Sequence, residues 1–244
     1  MSQSIFKKSI SFIVPALNEE KNLALSVKCI ENSIDGINND YEIIIVNDGS
    51  QDNTAKVAES IQATNPRVSV IHHPSNLGLG KAYFSGVYKA KFPYILLVPG
   101  DNENGESAIR PLLGSLGEVD IIVPFPVNNK ERGFVRSTIS VLFTRIVNLL
   151  AGLNLKYYNG SVIHTRHLLL SCPSNTSGFG YQAEILVNLI RSGATYKEIP
   201  IVLNIRNNND HKTNAFKLKN ILNVGISLIK IFKIRLMYKI NDLN

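Results

Sequence analysis

YEIIIVNDGSQDNT, residues 41–54, decides how the chain is read. Tyr41–Val46 is a β-rich apolar run, too short for a helix and closed by turn formers, so it predicts a strand. Gly49 permits a tight turn, and Ser50 or Asp52 can cap a helix over about residues 52–64. Strand, turn and helix open a βαβ unit. Asp48 is left at the strand end with neither a turn nor a capping duty, which makes it a ligand candidate.

Outward from this stretch the pattern repeats. Strands are predicted at Ile10–Pro15, Val68–His72, Tyr94–Val98 and Val119–Pro124, with helices at about Glu19–Ile34, Lys81–Lys91 and Gly105–Leu116. Alternation of this kind predicts an α/β fold with a Rossmann-like, mostly parallel sheet and helices on both faces. Ligands of such sheets bind at the carboxyl ends of the strands. Three of those ends are polar: VPALNEE after the first strand, VNDGS after the second and VPGDNE after the fourth. Pro15 stops the first strand, and Asn18 with Glu19 is expected to open the helix. Taken one at a time these residues read equally as ordinary turn and cap chemistry; three such clusters at successive strand ends favour a site. Asp101 and Glu103 stand two apart in a loop, where hard oxygen ligands suit Mg2+ or Mn2+ completed by a substrate diphosphate.

Beyond residue 130, apolar positions Ile139, Leu142, Phe143, Ile146, Leu149, Leu150 and Leu153 mark a helix stopped near Gly152. YYNGSVIHT feeds a short strand, a helix is predicted over Tyr181–Ser192, and Thr195–Arg206 reads as one or two edge strands around Pro200. His72 and His73 end the third strand, while His164 and His167, three apart, could bind a metal but with no third ligand visible read as surface or loop histidines. The final segment, about Phe216–Tyr238, is a helix apolar along Leu218, Ile221, Leu222, Leu228, Ile229 and Phe232, with Lys219, Asn223 and Lys230 opposite.

The 244 residues carry a net charge of +7, and residues 206–239 alone hold eight Lys/Arg against Asp210. An anionic partner is implied there. Nucleic acid is not expected, because no aromatic and basic platform accompanies the charge. Two distant cysteines, Cys29 and Cys172, give no disulfide framework and point to a reducing, cytoplasmic compartment. No stretch approaches the roughly 18 apolar residues of a membrane span, so a peripheral position on the cytoplasmic membrane face is expected. The helical tail can lie in the headgroup plane or pack on protein or a partner subunit.

Taken together, P-x-L-N-E-E at Pro15–Glu20, N-D-G-S-x-D-x-T at Asn47–Thr54, N-x-G-x-G-x-A at Asn76–Ala82, G-D-x-E at Gly100–Glu103 and the Glu184–Pro200 pattern ending in E-I-P resemble family 2 glycosyltransferases of GT-A fold. Within them the chain is similar to the dolichyl- or polyprenyl-phosphate mannose or glucose synthases. The resemblance spans about residues 10–213, which divides the chain into a GT-A domain at 1–213 and a basic amphipathic helical extension at 214–244.

The resemblance implies a sugar transfer from a GDP- or UDP-sugar to a polyprenyl phosphate, inverting and dependent on Mg2+ or Mn2+. It implies that Pro15, Ala16, Asn18 and Glu19 cradle the nucleotide, that Asp48 meets the base, and that the Asn76–Lys81 loop with Gly78 closes over it. Gly100 lies beside the acids. Asp101 matches the second acid of the metal motif and Glu103 stands near it, whereas Pro99 replaces the first acid. Arg206 and Lys212 match a basic pair for the leaving diphosphate. On the acceptor side Arg136 and Ser140 are one helical turn apart, so they form either a phosphate fork or a solvated helix face. An ionised phosphate acceptor needs no general base. In keeping with that, Asn159 stands where relatives carry an acid, and a hydroxyl acceptor would have to recruit another acid such as Glu184.

Overall fold

The computed structural model describes residues 8–37, 40–128, 131, 133–172, 180–204 and 218–241, with the backbone alone at 134–136, 218–222 and 239–241. Strands β1 (Ile10–Ala16), β2 (Tyr41–Asn47), β3 (Val68–His72) and β4 (Tyr94–Leu97) alternate with helices α1 (Leu23–Ile34), α2 (Thr54–Thr64) and α3 (Leu79–Lys89). Then come α4 (Glu106–Leu113), β5 (Ile121–Pro126), α5 (Phe134–Ala151), β6 (Ile163–Thr165), α6 (Arg166–Ser171), α7 (Tyr181–Arg191), β7 (Tyr196–Ile201) and α8 (Leu218–Asn241). The seven strands form one sheet in the order β3-β2-β1-β4-β6-β5-β7. Every pairing is parallel except those of β6, which runs antiparallel to β4 and β5.

The apolar runs follow from burial on both faces, since alternate side chains of a strand point to opposite sides. On β1, Phe12 and Val14 enter a core shared with α1, α2 and α4, while Ile13 between them enters the core under α3, α5, α7 and α8. Gly86 on α3 allows that helix to lie against the sheet, because a Cβ there would press within 2.9 Å of Ile13 Cδ1.

Two boundaries differ from expectation. Helix α1 starts at Leu23 rather than near Glu19, and Asn18, expected to help open it, adopts a left-handed backbone, φ 58°. A one-and-a-half-turn helix, α6, follows β6 where only a loop was foreseen. His164 is also not a surface residue: it is fully buried on β6, with Nδ1 3.4 Å from Tyr83 Oη on α3 and Nε2 3.5 Å from Gln182 Nε2 on α7. Burial pushes its pKa down to about 3, so it is neutral.

The C-terminal helix lies on α5 and α7. Ile231 is fully buried, Arg235 Nη1 donates to the Leu149 carbonyl at 2.8 Å, and Tyr238 Oη donates to Asn188 Oδ1 at 3.0 Å. Its apolar residues do not form the single stripe expected. Ile231 turns inward, whereas Ile226, Ile229, Phe232, Leu236 and Met237 are exposed on the opposite side. Among the described residues no helix is long and apolar enough to cross a membrane.

Candidate active site

In the order β3-β2-β1-β4 the winding direction reverses between β1 and β4, and an open α/β sheet places its ligand crevice at such a point. The polar loops after β1, β2 and β4 meet there. Asp48 N donates to the Ala16 carbonyl at 2.9 Å, and Gly100 N donates to the Pro15 carbonyl at 3.0 Å. Asp48 and Asp101 therefore flank the end of β1 on its two sides, as the sequence predicted. Gly100 suits this approach, since a Cβ would come within 3.1 Å of both Ala16 Cβ and the Pro15 oxygen.

The loops after β1 and β2 are laced together. Asn18 N donates to Ser50 Oγ at 3.0 Å and Gln51 N donates to Asn18 Oδ1 at 2.9 Å. Glu19 N donates to Thr54 Oγ1, Glu20 N to Asp52 Oδ2, and Asn53 N to Glu20 Oε2. Burial acts to raise the Asp52 carboxyl, but hydrogen bonds from the Thr54 hydroxyl and from the Thr54 and Glu20 amides outweigh it and hold the group below its usual range. The Asn18 amide, expected to cradle a nucleotide, thus has a structural duty: its oxygen and its backbone clamp the two loops. Pro15 and Ala16 are buried beneath this lacing, and Glu19 is half-buried with Oε2 accepting from Asn22 Nδ2 at 2.8 Å.

Asp48 is not a leftover carboxylate either. It is 4% exposed, and Oδ1 accepts from Leu77 N at 2.9 Å and from His73 Nδ1 at 2.7 Å, while Oδ2 accepts from Gly78 N at 2.9 Å. Its structural duty is to anchor the glycine loop. His73 Nε2 lies 2.9 Å from Ser85 Oγ on α3, which completes a chain from carboxylate to imidazole to hydroxyl. His73 was read only as ending the third strand; the structure gives its side chain 8% exposure. The missed signal is register, because Asn47 pairs with His72 across β2 and β3 and so sets Asp48 beside His73. Gly49, at φ 72°, and Gly78, at φ 93°, both use conformations that suit glycine. At Gly49 a Cβ would also strike the Ser75 and Asn76 backbone, at 2.6 Å from Asn76 N. Lys81 is exposed in the first turn of α3.

After β4 the chain turns through left-handed Asn102, φ 60°, so that Asp101 and Glu103 stand on either side of a kink. Glu103 N donates to Asp101 Oδ1 at 3.0 Å. Both acids are half-buried. Among the described residues no three His, Cys, Asp or Glu cluster as a metal cage. Two hard carboxylates suit a divalent ion that takes its other ligands from a diphosphate and water. The end of β7 closes this loop: Asn204 N donates to the Glu103 carbonyl at 3.1 Å, and a Cβ on Gly105 would meet Asn204 Nδ2 at 2.5 Å.

Arg206 and Lys212 lie outside the described residues. Arg136 and Ser140 share α5 at one-turn spacing; of Arg136 only the backbone is described, and Ser140 is half-buried. Asn159 is exposed in the bend after α5. Glu184 is buried under α8, 3.5 Å from Lys230 Nζ, and burial pushes its pKa up against the hydrogen bond from Ser227 and the Lys230 charge. It is engaged at a helix seam.

Comparison with known proteins agrees with the fold. The chain is 28% identical over 139 residues to the "Putative glycosyltransferase CsbB" of Bacillus subtilis (strain 168), which covers 57% of this chain and 42% of that protein. It thus spans less than half the length of that relative. Among solved structures, glucosyl-3-phosphoglycerate synthase from Mycobacterium tuberculosis in complex with Mg2+ and uridine-diphosphate superposes with a TM-score of 0.69 at 17% identity, over 92% of this chain and 79% of that one. The same enzyme in complex with Mn2+, uridine-diphosphate-glucose and phosphoglyceric acid gives 0.65 at 18% identity, over 94% and 79%. The sequence profile described as Glycosyl transferase family 2 matches residues 11–175, which include β1 to β6 and all the loops of the rim, and the chain belongs to that family.

Proposed function

We propose that the chain is a glycosyltransferase that moves a sugar from a nucleotide-diphosphate sugar, with Mg2+ or Mn2+, to a polyprenyl phosphate. The observation that carries this reading is the convergence of Asp48, Gly100 and Asp101 on the two sides of the β1 end, tied there by the Ala16 and Pro15 carbonyls. In this reading Pro15, Ala16, Asn18, Glu19, Gly78 and Lys81 would cradle the nucleotide, with Asp48 toward its base. Asp101 and Glu103 would hold the divalent ion, which supplies charge neutralisation at the diphosphate when bound. Arg206 and Lys212 would add to that neutralisation.

Arg136 and Ser140 on α5 suit a phosphate as acceptor. An ionised phosphate oxygen attacks the sugar C1, the new C1–O bond forms, the C1–O bond to the donor phosphate breaks, and the nucleoside diphosphate carries away the electron pair. Inversion at C1 follows from attack opposite the leaving group. No base is required, which accords with Asn159 and with Glu184 lying paired under α8. The outward apolar side chains of α8, beside Lys230 and Lys233, support association with the cytoplasmic membrane face where such a lipid would lie, or with a partner subunit.

A second reading keeps the donor chemistry but places the sugar on a hydroxyl; the phosphoglyceric acid named for the solved relative favours it. The test is a screen of UDP- and GDP-sugars with Mn2+ against a short-chain prenyl phosphate, 3-phosphoglycerate and a simple sugar. The expected product is a prenyl-phosphate sugar, and Asp101→Ala is expected to reduce its formation by roughly 100-fold or more. Transfer to 3-phosphoglycerate or sugar alone overturns the acceptor, and unchanged turnover in Asp101→Ala overturns the metal assignment. Donor binding without turnover toward any acceptor would leave a nucleotide-sugar-binding protein.

A further inference from the structure

An ionised carboxylate offers about four hydrogen-bond acceptor positions. Three of those on Asp48 are filled from within the protein. Oδ1 takes both Leu77 N and His73 Nδ1, at 2.9 and 2.7 Å, and Oδ2 takes Gly78 N at 2.9 Å. One position is left, and it is on Oδ2.

The His73 Nδ1 proton follows from the same contacts. A carboxylate only accepts, so Nδ1 carries a proton toward Asp48, and Nε2 lies 2.9 Å from the Ser85 hydroxyl oxygen. The ring is pinned at both ends, and the side chains of His73 and Asp48 are 8% and 5% exposed, so neither swings away to reopen Oδ1. Segment 73–78 grips the carboxylate from its two ends, through His73 and through the Leu77 and Gly78 amides.

Nucleobases differ in what they present to such a group. Guanine offers two adjacent N–H donors that pair with a carboxylate through both oxygens. Uracil offers one imide N–H. A guanine edge brought to Asp48 finds Oδ1 already filled and leaves a donor without its carboxylate partner, which is costly. An imide needs only the open position on Oδ2. We propose that His73 is a specificity-determining, positioning residue: by occupying Oδ1 of Asp48 it leaves one acceptor position and selects a uracil-type nucleoside diphosphate over a guanine-type one. The proposal rests on the reading that this rim binds the donor nucleotide.

The test is calorimetric binding of UDP, GDP and N3-methyl-UDP to the full chain in Mn2+. UDP is expected to bind at least about tenfold tighter than either of the others, as loss or mismatch of one buried hydrogen bond implies. Two variants separate positioning from general damage. In His73→Asn the side-chain amide stands near the place of Nδ1 and keeps the bond to Asp48; in His73→Gln it stands near Nε2 and keeps only the Ser85 contact. His73→Asn is expected to retain the UDP preference, whereas His73→Gln narrows the UDP to GDP ratio to about threefold or less, partly by gaining GDP affinity.

Thermal unfolding shows whether each variant folds, and N3-methyl-UDP tests the single-donor requirement on the unmodified protein regardless. Equal binding of UDP and GDP, or of UDP and its N3-methyl form, overturns the proposal while leaving the donor reading intact. So does an equal loss of preference in the Asn and Gln variants. Failure of all three nucleotides to bind overturns the donor reading and the proposal with it.

Discussion

Around the end of β1, two loops exchange hydrogen bonds between side chains and backbone, and a third closes onto Asp48 through the Leu77 and Gly78 amides. Elsewhere α8 rests on α5 and α7 through Ile231, Leu228 and Ile234, with side-chain joints from Ser227, Lys230, Arg235 and Tyr238 among the described residues. The rim is fixed by directional bonds to main-chain groups, so its geometry tolerates little displacement. The seam rests mainly on apolar area, which is non-directional and more tolerant of displacement, with the Arg235 and Tyr238 joints at half-buried positions. This contrast suits the two tasks proposed: a diphosphate must be held to a fraction of an ångström, whereas a helix that meets a surface needs only to stay attached. The two regions should therefore fail differently, and three measurements break or sharpen that contrast.

The largest effect is expected at Gly49. Its φ of 72° strains any side chain, and a Cβ would strike main-chain atoms of Ser75 and Asn76 that cannot rotate aside. Gly49→Val should cost about 4 kcal/mol in urea unfolding, the range where backbone strain and overpacking combine. Nucleotide binding should vanish with it. A loss below about 1 kcal/mol would show that the rim loops yield as easily as the seam.

Second in size is the joint between the two regions. His164 on β6 touches Tyr83 of α3, the helix after the glycine loop, and Gln182 of α7, the helix under α8. Its pKa is depressed from 6.5 to about 3 by burial. The unfolded chain therefore binds a proton that the folded one refuses. Stability is intact above pH 6.5 and falls as pH drops toward about 3. The slope is about 1.4 kcal/mol per pH unit, or about 2 kcal/mol at pH 5. Urea midpoints measured at pH 7 and pH 5 should show this loss in the natural protein, and His164→Gln should flatten it. An equal slope in the variant would place the acid sensitivity elsewhere.

How much of this was legible depends on the range of the interactions. Strands β1 to β4 could be read because Ile10–Val14, Ile43–Val46 and Tyr94–Leu97 are apolar runs ended by turn formers, and the meeting of Asp48 with Asp101 followed from strand ends alone. What escaped depends on pairing between distant segments. Asn18 bends left-handed and bonds to Ser50 and Gln51, more than thirty residues away, so local capping rules misplaced the start of α1. The Asp48 to His73 bond needs the β2 to β3 register. The antiparallel β6 and the buried His164 need the strand order, which no local pattern carries. For α8, periodicity revealed an apolar helix but could not say that Ile231 faces the core and Phe232 the outside.

The smallest effect concerns the seam. Glu184 on α7 is 7% exposed and faces Ser227 and Lys230 of α8. Desolvation raises its pKa, and the Ser227 hydroxyl and Lys230 charge counter that only in part. The folded chain thus holds the Glu184 proton more tightly than the unfolded one. Its contribution is complete below the ordinary value of 4.5 and declines as pH rises through the folded value. When it ionises, the acid faces a lysine whose side chain is 41% exposed and can turn to water. Replacing it by a neutral amide removes a desolvated charge without stranding its partner. Glu184→Gln should therefore be neutral or stabilising by up to about 1 kcal/mol at pH 8, and should flatten that part of the pH dependence above 4.5. If the variant instead lost about 3 kcal/mol, the cost of breaking a buried ion pair, the seam would depend on a directional joint as the rim does. The contrast between the two regions would then fall.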